Sequence, residues 1–290
     1  MKKIISALLV LSLIFAFAAC GKEQEENTTT TLPEGFEVAD STSAAKTEGT
    51  DKETEESTEP EEENKLPESL EDVVAKYKEV MDQAKKDKPG FDRLDYQELP
   101  SDPSSRVISS GEGLMNAALT FAGNFMATRQ EAEKKPTVGV KGGDMDDFPV
   151  KHTNYGCLLK GTDGVKSAKC EELSNGYWKI TMILYSEKNP EPAAPGATTA
   201  PSYHGSICSP ISKKEIDSKL ASGLFKDIEY SLTYHDCETV LIFNPENNHI
   251  YMQEQTNRVT ITGKGSIGLI TLGIDKQELI NHVVIQNLKY

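Results

Sequence analysis

Residues 67–290 are expected to form an α+β domain in which two amphipathic helices come first and a mainly antiparallel sheet follows, a β-meander with one short inserted helix. Three observations predict this. Apolar residues step by three and four from Leu70 to Ala84, and again from Leu114 to Met126. After Pro136 the period changes to short segments that alternate or are rich in β-branched and aromatic residues. Turn-forming clusters, among them Asn-Pro-Glu-Asn-Asn-His at 244–249, separate those segments.

The first helix opens at Pro67, with Glu68, Glu71 and Asp72 at its start. Leu70, Val73, Val74, Tyr77, Val80, Met81 and Ala84 make one apolar stripe, and Lys85, Lys86 and Lys88 suit the negative end of the helix dipole before Pro89-Gly90 stops it. The second helix is expected over 112–134, with Leu114, Met115, Ala118, Leu119, Ala122, Phe125 and Met126 facing inward. That Met and Phe stripe is read as core, with the lining of an apolar ligand cavity as the alternative. Strands are expected at 176–185, 227–235 and 239–243 and over 250–262 beyond the turn. In the second of these, Ile228, Tyr230, Leu232 and Tyr234 share one face. Ser212 as N-cap with Glu215 three residues on predicts a short helix to Leu220. The end, 275–290, has a helix-like start at Asp275 and Glu278, but its Val and Ile cluster favours a strand. The Pro-rich stretch 187–207 reads as a mobile surface insertion.

The N-terminus carries a different signal. Lys2 and Lys3 precede an apolar run from Ile4 to Ala19, which has the charge and length of a secretory signal and is short for a membrane span. Phe17-Ala18-Ala19-Cys20-Gly21 resembles the lipobox of bacterial lipoproteins. The resemblance covers only residues 1–21. It implies that 1–19 is a signal peptide and that Cys20 is diacylated and becomes the first residue, anchoring the chain to the outer side of the cell membrane through two acyl chains. Residues 20–66 then read as a disordered stalk: from Gly21 to Leu66 there are 15 Asp and Glu against 4 Lys, with few large apolar residues. Such a coil reaches roughly 35 to 40 Å, and charge repulsion extends it. Residues 67–290 carry a net charge of about −6 within a chain of −15. That balance excludes a nucleic-acid partner, which needs a basic footprint, and excludes a polybasic membrane contact.

Setting Cys20 aside, Cys157, Cys170, Cys208 and Cys237 are disulfide candidates in an extracytoplasmic domain. Three connectivities exist. A hairpin about Thr162-Asp163-Gly164 would join Cys157 to Cys170, leaving Cys208 with Cys237, and closing the shorter loop contributes about 3 kcal/mol on the chain-entropy view. Reduced buried thiols are the alternative. No CxxC or HExxH spacing occurs, so neither a zinc ribbon nor a zincin is expected. Asp144, Asp146 and Asp147 in Gly-Gly-Asp-Met-Asp-Asp are weak candidates for a Ca²⁺ site, since the later glutamate of an EF-hand is missing. Gly263, Gly265 and Gly268 match G-x-G-x-x-G but lie among strand residues, so no dinucleotide site and no cofactor are expected. No GxSxG occurs, and the Ser206 near His204 does not make a triad.

The resulting expectation is a cell-surface, lipid-anchored binding or adhesion module for a peptide, a glycan or an apolar ligand. The alternatives are an extracytoplasmic hydrolase with a site assembled from dispersed Asp and His, and a carrier of a hydrophobic ligand.

Overall fold

In a computed structural model the described residues are 65–123, 126–220 and 225–290. The signal segment, Cys20 and the acidic stretch up to residue 64 lie outside them.

Helix α1 (Leu70–Asp87) begins where Ser69 accepts the Asp72 amide on its side chain, and ends at Lys88 in the left-handed conformation. It buries Val73, Val74, Tyr77, Val80, Met81 and Ala84, the stripe the periodicity marks. There follow β1 (Gly90–Glu98), a 3-10 turn (Pro103–Ser105), β2 (Arg106–Ser110), α2 (Glu112–Gly123), α3 (Arg129–Lys134), β3 (Thr137–Gly139), β4 (Val165–Glu172), β5 (Trp178–Leu184) and β6 (Glu187–Lys188). A second 3-10 turn (His204–Ser206), α4 (Lys213–Leu220), β7 (Phe225–Phe243), β8 (Ile250–Ile267) and β9 (Ile270–Lys289) complete the order.

The strands form one antiparallel sheet in the order β3-β1-β9-β8-β7-β5-β4, with β2 on β9 and β6 on β7. At the two ends of this order, β3 is three residues long and β4 exposes Lys166, Ser167 and Lys169. The centre is the meander β7-β8-β9, with strands of 19, 18 and 20 residues. Residues 227–235 and 239–243 belong to one strand rather than two. The register slips between His235 and Glu238, where Asp236 has φ 47, so the lapse in alternation is a bulge and not a turn. The β8-β9 turn is Gly268-Leu269, with Gly268 at φ 61 in the first central position, which explains the last glycine of the G-x-G-x-x-G match as hairpin chemistry. Residues 275–290 lie in strand β9.

Two expectations change. Strands β1 and β2 stand between the helices, so helices do not precede the sheet as a block. The span 112–134 holds two helices: α2 ends at Gly123, and Thr128 starts α3 with a capping box to Glu131. The same sequence feature that fits a helix interior, Thr followed by Glu at the third position, there begins a new one.

The core lies in two large clusters. Helix α1 covers Phe91, Trp178, Ile180, Met182, Leu241, Phe243 and Ile285 at one end of the meander. At the other, Met115 and Leu119 of α2 and Ile216 of α4 pack with Leu232, Val259, Ile261 and Leu272. A small third cluster joins Ala132 to Leu94, Tyr96 and Val284.

Helix α1 is also clamped to the loop before β4. Asp82 accepts the amides of Gly156 (2.8 Å) and Cys157 (3.1 Å), and Lys78 donates to the Cys157 carbonyl. One turn on, the buried Lys85 ammonium donates to the carbonyls of Met145, Val150 and Thr153. Gly156 fits so closely that a Cβ there would stand 2.2 Å from the Met81 carbonyl oxygen. Gly156→Ala must therefore push the helix away, and is expected to lower Tm by roughly 5 to 10 °C in a thermal melt. An unchanged Tm would show that helix and loop do not meet here.

Candidate functional site

Along β8 every second residue from Gln253 to Ile261 is buried: Gln253, Gln255, Asn257, Val259 and Ile261. The last two belong to the second core, Gln253 stands between Leu241 and Ile285 of the first, and Gln255 and Asn257 are amides placed between the two clusters. On the neighbouring strand, Asn257 stands opposite Asn281 and Gln255 opposite Val283; beyond them, Gln97 and Asp95 of β1 pair with the same two β9 residues. A polar band thus crosses the sheet at the margin of the first helical cover, where Thr239 meets both the Tyr77 hydroxyl of α1 and the Gln253 amide.

A cleft of about 400 Å³ opens on this band. Arg93, Asp95, Gln97, Gln255, Asn257, Asn281 and Val283 contribute to its floor. One wall is the loop with Asp147, Pro149 and Lys151; a second is Cys208 to Ile211; the third is α3 at Glu131, Ala132 and Lys134, with Lys135 just after it. The lining is tied down. Arg93, itself buried, grips Asp95 through Nε and Nη2 at 2.7 Å each and donates to the Asp147 carbonyl at 2.7 Å. The Ser209 hydroxyl accepts the Lys151 amide and donates to the Pro149 carbonyl, stitching two walls together. Tyr234 accepts the Ile211 amide, and Gln255 Nε2 donates to the Ile207 carbonyl at 2.6 Å. Burial pushes the Tyr234 hydroxyl pKa upward, so it stays protonated in ordinary buffers. Two buried acceptors of the cleft lining, Gln255 Oε1 and Asn281 Oδ1, have no hydrogen-bond partner.

The sequence candidates fall elsewhere or take other roles. Asp144 accepts the Asp146 amide, Asp146 faces His152 at 3.3 Å, and Asp147 faces Lys151 at 3.6 Å. The three carboxylates are turned to separate partners, and no group of three or more His, Cys, Asp or Glu able to hold a metal occurs among the described residues. The histidines are likewise dispersed. His235 bridges Asp236 and Thr260, His249 stacks on Tyr290, and His282 stacks on Tyr96 with Glu98 and Glu254 each 3.8 Å away.

The insertion 187–207 is packed rather than loose. His204 is fully buried, and Glu187 accepts its ring Nδ1 at 2.9 Å and its backbone amide at 3.1 Å. Burial alone would raise the Glu187 pKa, but these hydrogen bonds outweigh it and hold the carboxyl below its usual range. Glu191 closes the other side by accepting the Ser212 hydroxyl at 2.7 Å.

Cys157, Cys170, Cys208 and Cys237 are buried free thiols, none at disulfide distance from another. The expected 157–170 hairpin does not form. Residues 157–160 are not a strand, and β4 pairs with β5 instead. Cys208 and Cys237 are near enough to interact but each turns its thiol to a backbone carbonyl, His204 at 3.1 Å and His235 at 3.5 Å.

No protein-family model matches the chain, and no curated protein or solved structure is significantly similar to it.

Burial pushes the thiols of Cys157 and Cys237 up to about 12 and that of Cys170 to about 11, from an ordinary 9.0; Cys208 moves the same way. A raised folded-state pKa gives stability that is complete below pH 9 and is lost as pH climbs through 9 toward 11–12, at about 1 kcal/mol per thiol and pH unit. Lys85, drawn down to about 8 by burial, acts in the opposite sense between pH 8 and 10.5, one group against four. Urea unfolding is therefore expected to show a midpoint that falls above pH 9. In the same samples at pH 8, thiol titration without reductant should find these four cysteines only after denaturation. Their absence from the denatured titration would establish disulfides instead.

Proposed function

We propose that this chain is a lipid-anchored binding module on the extracytoplasmic face of the cell membrane, and that the cleft on the sheet between the two cores is its ligand site. The observation that carries the reading is the buried amide band itself. A floor of Gln and Asn spends stability that apolar residues would supply, and two of its acceptors stand unsatisfied. Its walls are held by Arg93, Ser209, Gln255 and Tyr234, so the concavity exists before any ligand arrives. A polar ligand fits this lining better than an apolar one. Leu114, Met115 and Leu119, from the stripe that an apolar carrier would use, are spent in packing within the second core. Anchoring rests on the resemblance of residues 17–21 to a lipobox, and the acidic 20–66 segment would hold the domain off the membrane. Among the described residues no helix is long and apolar enough to cross a membrane.

Two measurements test this. In the host envelope, Cys20→Ala is expected to move the protein from the membrane to the soluble fraction, and retention in the membrane would overturn the anchor. The full-length Cys20→Ala chain, screened by thermal shift against peptides, saccharides and polar metabolites, should be stabilised by at least one. A ligand at one hundred times its Kd adds about 2.7 kcal/mol. Val283→Trp fills the cleft without removing a side-chain hydrogen bond and should abolish that shift. A shift that survives it would place the site elsewhere.

A further inference from the structure

We propose that the ligand of the cleft is a saccharide, read by hydroxyl groups that donate to Gln255 Oε1 and Asn281 Oδ1. This inference rests on the cleft being the ligand site. Gln255 is 1% exposed, and its Nε2 is committed to the Ile207 carbonyl, so the oxygen is the unspent end of a fixed side chain. Asn281 presents a second unspent oxygen from the adjacent strand β9. What the floor lacks is therefore donors.

Charge does not select the ligand. Asp95 is held bidentately by Arg93, and Asp147 faces Lys151, so the carboxylates nearest the floor are already matched. Lys134 and Lys135 are exposed at the outer wall, where salt screens them. A peptide is poorly served as well. The floor strands β8 and β9 are paired on both sides, and on β1 the outer side is taken by β3 over Phe91–Arg93 and by the Ala127 carbonyl at the Gln97 amide, which leaves no continuous run of backbone groups on which an extended chain could add. A sugar hydroxyl both donates and accepts, so neighbouring hydroxyls can satisfy an amide oxygen and an amide N–H together. Asn257, beside Asn281 on β8, offers such a mixed pair of groups.

The test is saturation-transfer NMR on the full-length Cys20→Ala chain, with glucose, N-acetylglucosamine, maltose and glucuronate as probes and tetra-alanine and putrescine as comparators. At least one sugar is expected to receive saturation. Its Kd should weaken tenfold or more in Gln255→Met and in Asn281→Leu. It should be unchanged in Gln253→Met, which removes an equally buried and equally unsatisfied amide that does not line the cleft. If Gln255→Met does not fold, Asn281→Leu, at a half-buried position, decides the question alone. Sugar binding indifferent to both variants overturns the inference. Binding of tetra-alanine or putrescine instead, lost in Val283→Trp, overturns the saccharide and leaves the cleft as the site. Silence from all six probes overturns the saccharide inference, and a thermal-shift screen without a hit then removes the cleft as well.

Discussion

The meander is longer than anything that covers it, and the rest of the architecture follows from that mismatch. Strands of 18 to 20 residues run for about 60 Å. Helix α1, at 18 residues, is about 27 Å long. One helix cannot shield such a face, so the apolar sequence is divided between two cores with separate helical covers. Between them lies a stretch of sheet that neither cover spans in full. There β8 changes from Val and Ile to Gln, Gln and Asn, buried amides of which the two Gln side chains donate to Thr239 and to the Ile207 carbonyl. The cleft is a consequence of strand length before it is a feature of any one side chain.

The loops around the cleft are fixed by polar side chains reaching from regular elements to carbonyls and amides. Lys85 does this from α1, Arg93 from β1, Gln255 from β8 and Tyr234 from β7. Each contact replaces the secondary structure that the loop lacks. A loop held in this way keeps its backbone groups satisfied while lying against the protein instead of in water. The insertion 187–207 follows the same rule through Glu187 and Glu191.

These polar ties explain what the sequence discloses and what it hides. Helix α1 is legible because its caps, its apolar stripe and its charged ends agree. The alternation of Ile228 to Tyr234 is legible because one face meets the second core. Strand β1 is not, because Phe91, Leu94 and Tyr96 are buried on both sides of it while Arg93, Asp95 and Gln97 line a polar floor, so neither period two nor an apolar run stands out. Proline content makes 187–207 look loose, since a carboxylate that will bind His204, 17 residues away, resembles any surface glutamate. The cleft draws on β1, the 147–151 loop, the 208–211 segment, β8 and β9, and no local spacing can announce a site assembled over that distance.

The two ends of the sheet differ from its centre. A sheet this wide offers its outermost backbone groups to any other strand, and many copies held near one another would be drawn to stack edge to edge. Here the strand at one end is three residues long, with β1 beyond it tied to the Ala127 carbonyl at Gln97, and the strand at the other end displays lysines that would have to be stripped of water before a second chain could pair. End strands of this kind disfavour edge-to-edge pairing without any element dedicated to the purpose.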